Sequence, residues 1–179
     1  PVGIGESATG DQDSYNPVVA ATPDGHVYIV YQSDAEDLSG RQVRFNWSSD
    51  FGQTWQPADQ LLGTVGYDVV NFWSQSATQA PGPKIAVAPG GKVWIAWADG
   101  YEILLTRSSD GGLTLVTEAV DQSATDFSGA PNLCAQGDQL ILSWEAWDGS
   151  PDDSWTIWAA VSDDGGVSFE PRVDLRPGQ

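Results

Sequence analysis

A chain of 179 residues that is 40% hydrophobic carries enough apolar side chain for a sizeable core, which excludes a disordered polypeptide. Its 25 Asp and Glu stand against 7 Lys and Arg, and the resulting net charge of -18 repels nucleic acid and anionic membrane surfaces. One cysteine, Cys134, rules out an intrachain disulfide framework and a cysteine-built zinc cluster.

No apolar run approaches the roughly 20 residues that cross a bilayer, so membrane insertion is not expected. Most of the acids are Asp beside Gly, Ser and Asn, where short side chains bond the local backbone in turns. The chain opens on Pro1 and contains no methionine, as expected of a processed or excised product.

In chain order, the acidic stretch Asp11-Gln12-Asp13 leads into a strand that starts at Pro17. A polar turn follows, with the lone His26 expected at the surface, and then the apolar strand Val27 to Tyr31. Beyond the loop Asp34 to Arg41, a third strand covers Val43 to Ser48 and a fourth is expected near 55–62.

After a long connection, Gly63 to Gly82, which holds Tyr67, Phe72 and Trp73, the pattern restarts with Pro83 to Trp97. The loop Asp99 to Glu102 contains Tyr101, a strand runs from Ile103 to Ser108, and another follows near 114–120. A third round comprises Pro131 to Trp144, the loop Glu145 to Trp155, a strand from Ile157 to Ser162 and a last one near 169–175. Cys134 falls in a predicted strand, where a buried, inert thiol is expected.

Repetition at this period marks an array of equivalent units. In each unit the second strand is apolar on consecutive residues, as in Val93-Trp94-Ile95-Ala96-Trp97, which predicts a strand covered on both faces. Four-stranded meanders stacked face to face are the blades of a β-propeller. The expected architecture is all-β with three blades, at about 15–62, 82–120 and 130–176.

One motif closes each unit: Ser48-Ser49-Asp50-Phe51-Gly52-Gln53-Thr54-Trp55, Ser108-Ser109-Asp110-Gly111-Gly112-Leu113-Thr114-Leu115 and Ser162-Asp163-Asp164-Gly165-Gly166-Val167-Ser168-Phe169. Asp and hydroxyl side chains can bond the backbone of a tight hairpin while Gly supplies a positive φ. The pattern resembles the Asp-box, or BNR, repeat of sialidase-like propellers, with Leu115 and Ser168 departing from it. The resemblance covers nearly the whole chain. It implies that Asp50, Asp110 and Asp164 are structural and lie opposite any active site.

It also implies, for a sialidase, three carboxylate-binding arginines with a Tyr nucleophile, a Glu and an Asp acid. Here the steps that would carry the first arginine read Asn16-Pro17, Gly82-Pro83 and Ala130-Pro131. The arginines are Arg41, Arg44, Arg107, Arg172 and Arg176, and Arg107 abuts a motif on the wrong face. A complete triad is therefore not expected, and no catalytic residue is assigned.

The expectation is a secreted or surface-exposed binding or structural module. The alternatives are a sialidase-like glycoside hydrolase completed by further blades, and a structural subunit of an extracellular assembly. Trp73, Tyr101, Trp147 and Trp155, on loops sharing one face, are the candidates for binding a glycan or extracellular protein. Trp73 and Trp147 are equally readable as satellite core.

No cofactor is expected; Asp148, Asp152 and Asp153 could gather oxygen ligands for Ca²⁺, with a solvated acidic loop as the preferred reading. Asn46-Trp47-Ser48 is a formal glycosylation sequon inside the first motif, an awkward place for a glycan. Since three blades fall short of the roughly 4 to 8 that close a ring, the terminal blades would expose apolar faces. Partners are then a second copy or further blades.

Overall fold

The computed structural model describes residues 13–34, 40–66, 82–122, 127–147 and 155–175. The chain is all-β, three blades of a β-propeller. The first sheet joins β1 (Ser14–Ala21), β2 (Val27–Asp34), β3 (Gly40–Ser48) and β4 (Gln60–Gly66) in sequence order. The second joins β5 (Lys84–Ala88), β6 (Lys92–Ala98), β7 (Glu102–Ser108) and β8 (Val116–Gln122), and the third β9 (Phe127–Gln136), β10 (Gln139–Trp147), β11 (Trp155–Ser162) and β12 (Val173–Asp174). All neighbouring strands run antiparallel.

The consecutive apolar residues of β6 follow from its position between two sheets. Val93, Ile95 and Trp97 point to the first blade and close a core with Tyr28, Val30, Val43 and Phe45. Trp94 and Ala96 point the other way and, with Ile103 and Leu105, meet Leu140, Leu142 and Trp144 of the third blade. A period of two on each face thus reads as an unbroken apolar run. Each fully buried side chain of this size contributes about 1.5–3 kcal/mol.

Close approach also selects residues. Gly63 of β4 lies against Trp97, and a Cβ there would stand 2.2 Å from the indole Cη2.

Two sequence expectations are corrected. The fourth strands begin later than predicted, at Gln60, Val116 and Val173. In the first and third blades, Pro57 and Pro171 intervene and supply no N–H to the ladder. Cys134 does lie in β9, but exposed. It is paired with Ile141 on the side of the sheet facing away from the second blade.

Candidate functional site

The two ends of the propeller are built differently. At one end lie the three Ser-x-Asp-x-Gly turns. Ser48 Oγ donates to Asp50 Oδ1 at 2.7 Å and accepts the Gly52 N–H at 3.0 Å. Asp50 in turn accepts the Thr54 N–H at 2.8 Å and its hydroxyl at 2.6 Å.

The second turn repeats this with Ser108, Asp110, Gly112 and Thr114 at 2.8–2.9 Å. In the third, Ser162, Asp164 and Gly166 take the same places, and Asp164 accepts both the N–H and hydroxyl of Ser168. Serine thus replaces threonine without loss of a bond.

These donors stabilise the ionised carboxylates. The Thr54 hydroxyl and N–H hold Asp50 at about 2, and the Thr114 N–H and hydroxyl hold Asp110 at about 2. Ser168 lowers Asp164 further. Carboxylates spent in this way make poor proton donors. The aromatic positions are half-buried: Trp55 lies beside Gly52, and Phe169 packs on the second core.

Beside the second and third turns is an open cavity of about 260 Å³, lined by Lys92, Trp94, Arg107 and Asp138 among others. Its cations are already engaged. Lys92 pairs with Asp138, while Arg107 pairs with Glu118 and donates to the Gly166 carbonyl at 3.2 Å.

The opposite end collects the β2–β3, β6–β7 and β10–β11 connections. In the first blade, the Tyr15 hydroxyl sits between Asp13 Oδ2 at 3.2 Å and Asp34 Oδ2 at 3.3 Å. The Asp34 N–H donates to the Asp13 carbonyl at 3.1 Å, which ties the two acids together. Arg41, the register partner of Asp34, lies over the Tyr15 ring at 4.1 Å. Burial and the neighbouring acids raise the Tyr15 pKa, so it stays a neutral donor. Arg41 Nε and Ser33 Oγ are buried here with no hydrogen-bond partner among the described residues.

Between the second and third blades the same end is aromatic. Asp99 Oδ1 accepts the N–H groups of Tyr101 and Glu102, each at 2.9 Å, in a turn that projects Tyr101 outward. Tyr101 stacks on Phe127 with centroids 4.9 Å apart, and Phe127 on Trp147 at 5.7 Å. The Ser128 N–H bonds the Gly100 carbonyl at 3.1 Å, fastening this row across the blade boundary.

The structure therefore brings Tyr101 and Trp147 together through Phe127. Trp155 pairs in register with Trp147 but is half-buried against the first core. Trp73, Asp148, Asp152 and Asp153 lie outside the described residues. Among the described residues no cluster of three or more metal-ligating side chains occurs. His26, given no partner by sequence, lies 3.4 Å from Asp24 and stacks on Tyr28. Asn46 is buried and donates to Gln56 and Asp59, so the sequon nitrogen is engaged.

Sequence reasoning missed Phe127 and the Asp13, Tyr15, Asp34 and Arg41 group. A signal existed: Asp13 and Phe127 each stand three residues before the equivalent residues Asn16 and Ala130. Both of these precede proline and adopt positive φ, 51° and 48°. The two bulges start their strands alike and present different chemistry from the same position.

No family model and no curated protein sequence matches the chain. Solved structures do. An α-L-arabinanase from Penicillium chrysogenum complexed with arabinobiose superposes with a TM-score of 0.58 at 17% identity, over 92% of this chain and 50% of that one. An α-L-arabinofuranosidase from Fusarium graminearum with an iminosugar inhibitor gives 0.56 at 15% identity, over 91% and 48%. A xylan β-1,4-xylosidase from Bacillus halodurans gives 0.54 at 14%, over 92% and 31%. The chain thus spans half or less of these structures, and the shared feature is the fold. At these identities the likeness is one of fold: of the sialidase resemblance it supports the propeller, and not the Asp-box assignment.

Proposed function

We propose that this chain contributes to the glycan-binding cleft of a glycoside hydrolase of the propeller type, acting outside the cell. The observation that carries the reading is the row Tyr101, Phe127 and Trp147, which spans a blade boundary at the loop end. Flat apolar faces with polar edges suit the faces of sugar rings. Asp13 and Asp34, gathered around Tyr15 at the same end of the first blade, are the carboxylates to test as an acid and base or nucleophile pair. The arabinanase, arabinofuranosidase and xylosidase neighbours support pentose-containing glycans as the first substrates to try. The Ser-x-Asp-x-Gly turns, read as Asp boxes, hold the frame from the other end.

A second reading is a module that binds glycans without turnover. It is favoured by the Tyr15 hydroxyl, which already occupies the space between the two acids. Calorimetry with arabino- and xylo-oligosaccharides, beside a reducing-end assay, separates the two. Hydrolysis abolished by Asp34→Asn supports the enzyme; binding lost in Tyr101→Ala with no turnover supports the module; neither binding nor turnover of any glycan rejects both.

A further inference from the structure

We infer that the open cavity between the second and third motif turns is a second glycan site, which holds one neutral sugar unit at the end of the propeller opposite the aromatic row. Its residues are separate from the loop-end cleft, so it does not rest on that cleft being one.

Equivalent positions in the first and second blades show which features of this cavity the frame requires. Val27 pairs with Ser48 and Val93 with Ser108, so His26 corresponds to Lys92, Tyr28 to Trp94 and Trp47 to Arg107. In the first blade these positions belong to an aromatic stack: His26 on Tyr28, Tyr28 on Phe45 and Phe45 on Trp47, with centroids 6.1–6.2 Å apart. A neutral side chain, Gln60, crosses to the second blade and donates from Nε2 to the Gly112 carbonyl at 3.1 Å. At the next boundary the corresponding bond, to the Gly166 carbonyl, comes from Arg107 Nη1 at 3.2 Å. Lys92 crosses the same boundary to Asp138.

One blade boundary thus closes with aromatic and neutral groups, and the next with two cations, each matched by a carboxylate: Asp138 for Lys92 and Glu118 for Arg107. Ion pairs this exposed add little stability. What Lys92 and Asp138 supply is a donor and an acceptor side by side on the wall of a cavity of about 260 Å³. A sugar hydroxyl both donates and accepts, so two of them on neighbouring ring carbons can bridge an ammonium and a carboxylate already held together. Val116 and Val167, 43% and 64% exposed, line the same cavity and offer apolar surface to the C–H face of the ring.

Charge and size narrow the occupant. Lys92 and Arg107 stand among the carboxylates of Asp138, Glu118 and Asp164 in a chain of net charge -18, which disfavours an anion. A bare cation would have to displace Lys92 from Asp138. The volume lies just below the roughly 300–1,000 Å³ of pockets for drug-sized ligands, which limits the occupant to about one ring.

Trp94 reports on this cavity directly, because its indole lines it and donates to the Gly165 carbonyl at 2.8 Å. The NMR signal of that indole N–H, identified by its absence in Trp94→Phe, is followed as D-xylose, L-arabinose or D-glucuronate is added. The expected result is a saturable shift with the pentoses, with a Kd on the order of 1–10 mM, and weaker binding of glucuronate.

Lys92→Ala removes one cation, and Arg107→Gln replaces the other by a neutral donor of the Gln60 kind. Each should weaken pentose binding at least about fivefold with little change in melting temperature. Tyr101→Ala, at the opposite end, should leave the Trp94 shift as it is, so failure of this site and failure of the loop-end cleft are told apart. No saturable shift with either pentose overturns the inference, as does tighter binding of glucuronate. So does a shift that survives both substitutions, or one abolished by Tyr101→Ala.

Discussion

The two ends of this propeller differ in what they repeat. At the turn end the same hydrogen bonds recur in all three blades, although the x positions vary from Phe51 to Gly111 to Gly165. Among the described residues of the loop end the side chains differ from blade to blade: an acidic tyrosine cluster occupies the first blade and an aromatic row joins the second and third. Bonds kept through three sequence variants belong to the frame, while side chains that diverge on one backbone position are free to serve a ligand. Substitutions at the turn end should therefore cost stability, and those at the loop end binding.

The largest effect is expected at Gly166. Its φ is +83°, and a Cβ would stand 2.5 Å from Leu105 Cδ2 and 3.0 Å from Leu140 Cδ1, inside the core between the second and third blades. Gly166→Ala combines backbone strain with overpacking and should lower the unfolding free energy by about 2–4 kcal/mol in urea titrations. Gly137, at φ +64° in open space, is the control. Gly137→Ala carries strain alone, about 1 kcal/mol. Equal losses at the two would break the link between turn and core.

Trp94 tests that link from the other side. Its Nε1 donates to the Gly165 carbonyl at 2.8 Å, so the second blade holds the third turn directly. Trp94→Phe keeps most of the apolar contact and loses the bond, and should cost about 1–2 kcal/mol. A neutral result would mean that the turn holds without its neighbour.

How far these features were legible depends on range. Ser48, Asp50 and Gly52 act within a five-residue turn, so sequence alone displayed their partners, and the alternation in Val93 to Trp97 announced two covered faces. The row from Tyr101 to Trp147 depends on Phe127, which a register of strands and a blade boundary bring into place. Tyr15 and Asp34 meet because a bulge at Asn16 resets the register between β1 and β2. Locally such placement shows only in the residue before a strand proline, Asn16 or Ala130, which names no partner. Cys134 misled for the same reason: its apolar neighbours predict burial, but only the stacking order shows that its side chain lies on the face away from the second blade.

Acid should affect the turn end next. Asp50 and Asp110 are held at about 2, below their ordinary 3.8, so their ionised forms are favoured by folding. The stabilisation is complete above about pH 4 and is lost as pH falls toward 2, where the folded state must also take up protons. Melting temperatures at pH 5, 4, 3 and 2 should drop most over the last two steps. Asp110→Asn should melt lower than the parent at pH 5 and close to it at pH 2. A constant gap across that range would show that the charge on Asp110 does not matter.

The smallest stability effect, and the sharpest test of the contrast, belongs to Tyr101. Its ring is exposed and, among the described residues, stacked on Phe127, while its loop is held by backbone bonds to Asp99 that do not need the side chain. Tyr101→Ala should therefore change the unfolding free energy by less than about 1 kcal/mol. If the aromatic row is a sugar platform, the same change removes its outermost ring and weakens glycan binding about tenfold, the equivalent of about 1.4 kcal/mol. Calorimetry of binding and urea titration on the same variant give the two numbers side by side. A loss of stability without a loss of affinity would return Tyr101 to the frame, and the loop end would then differ from the turn end in sequence only.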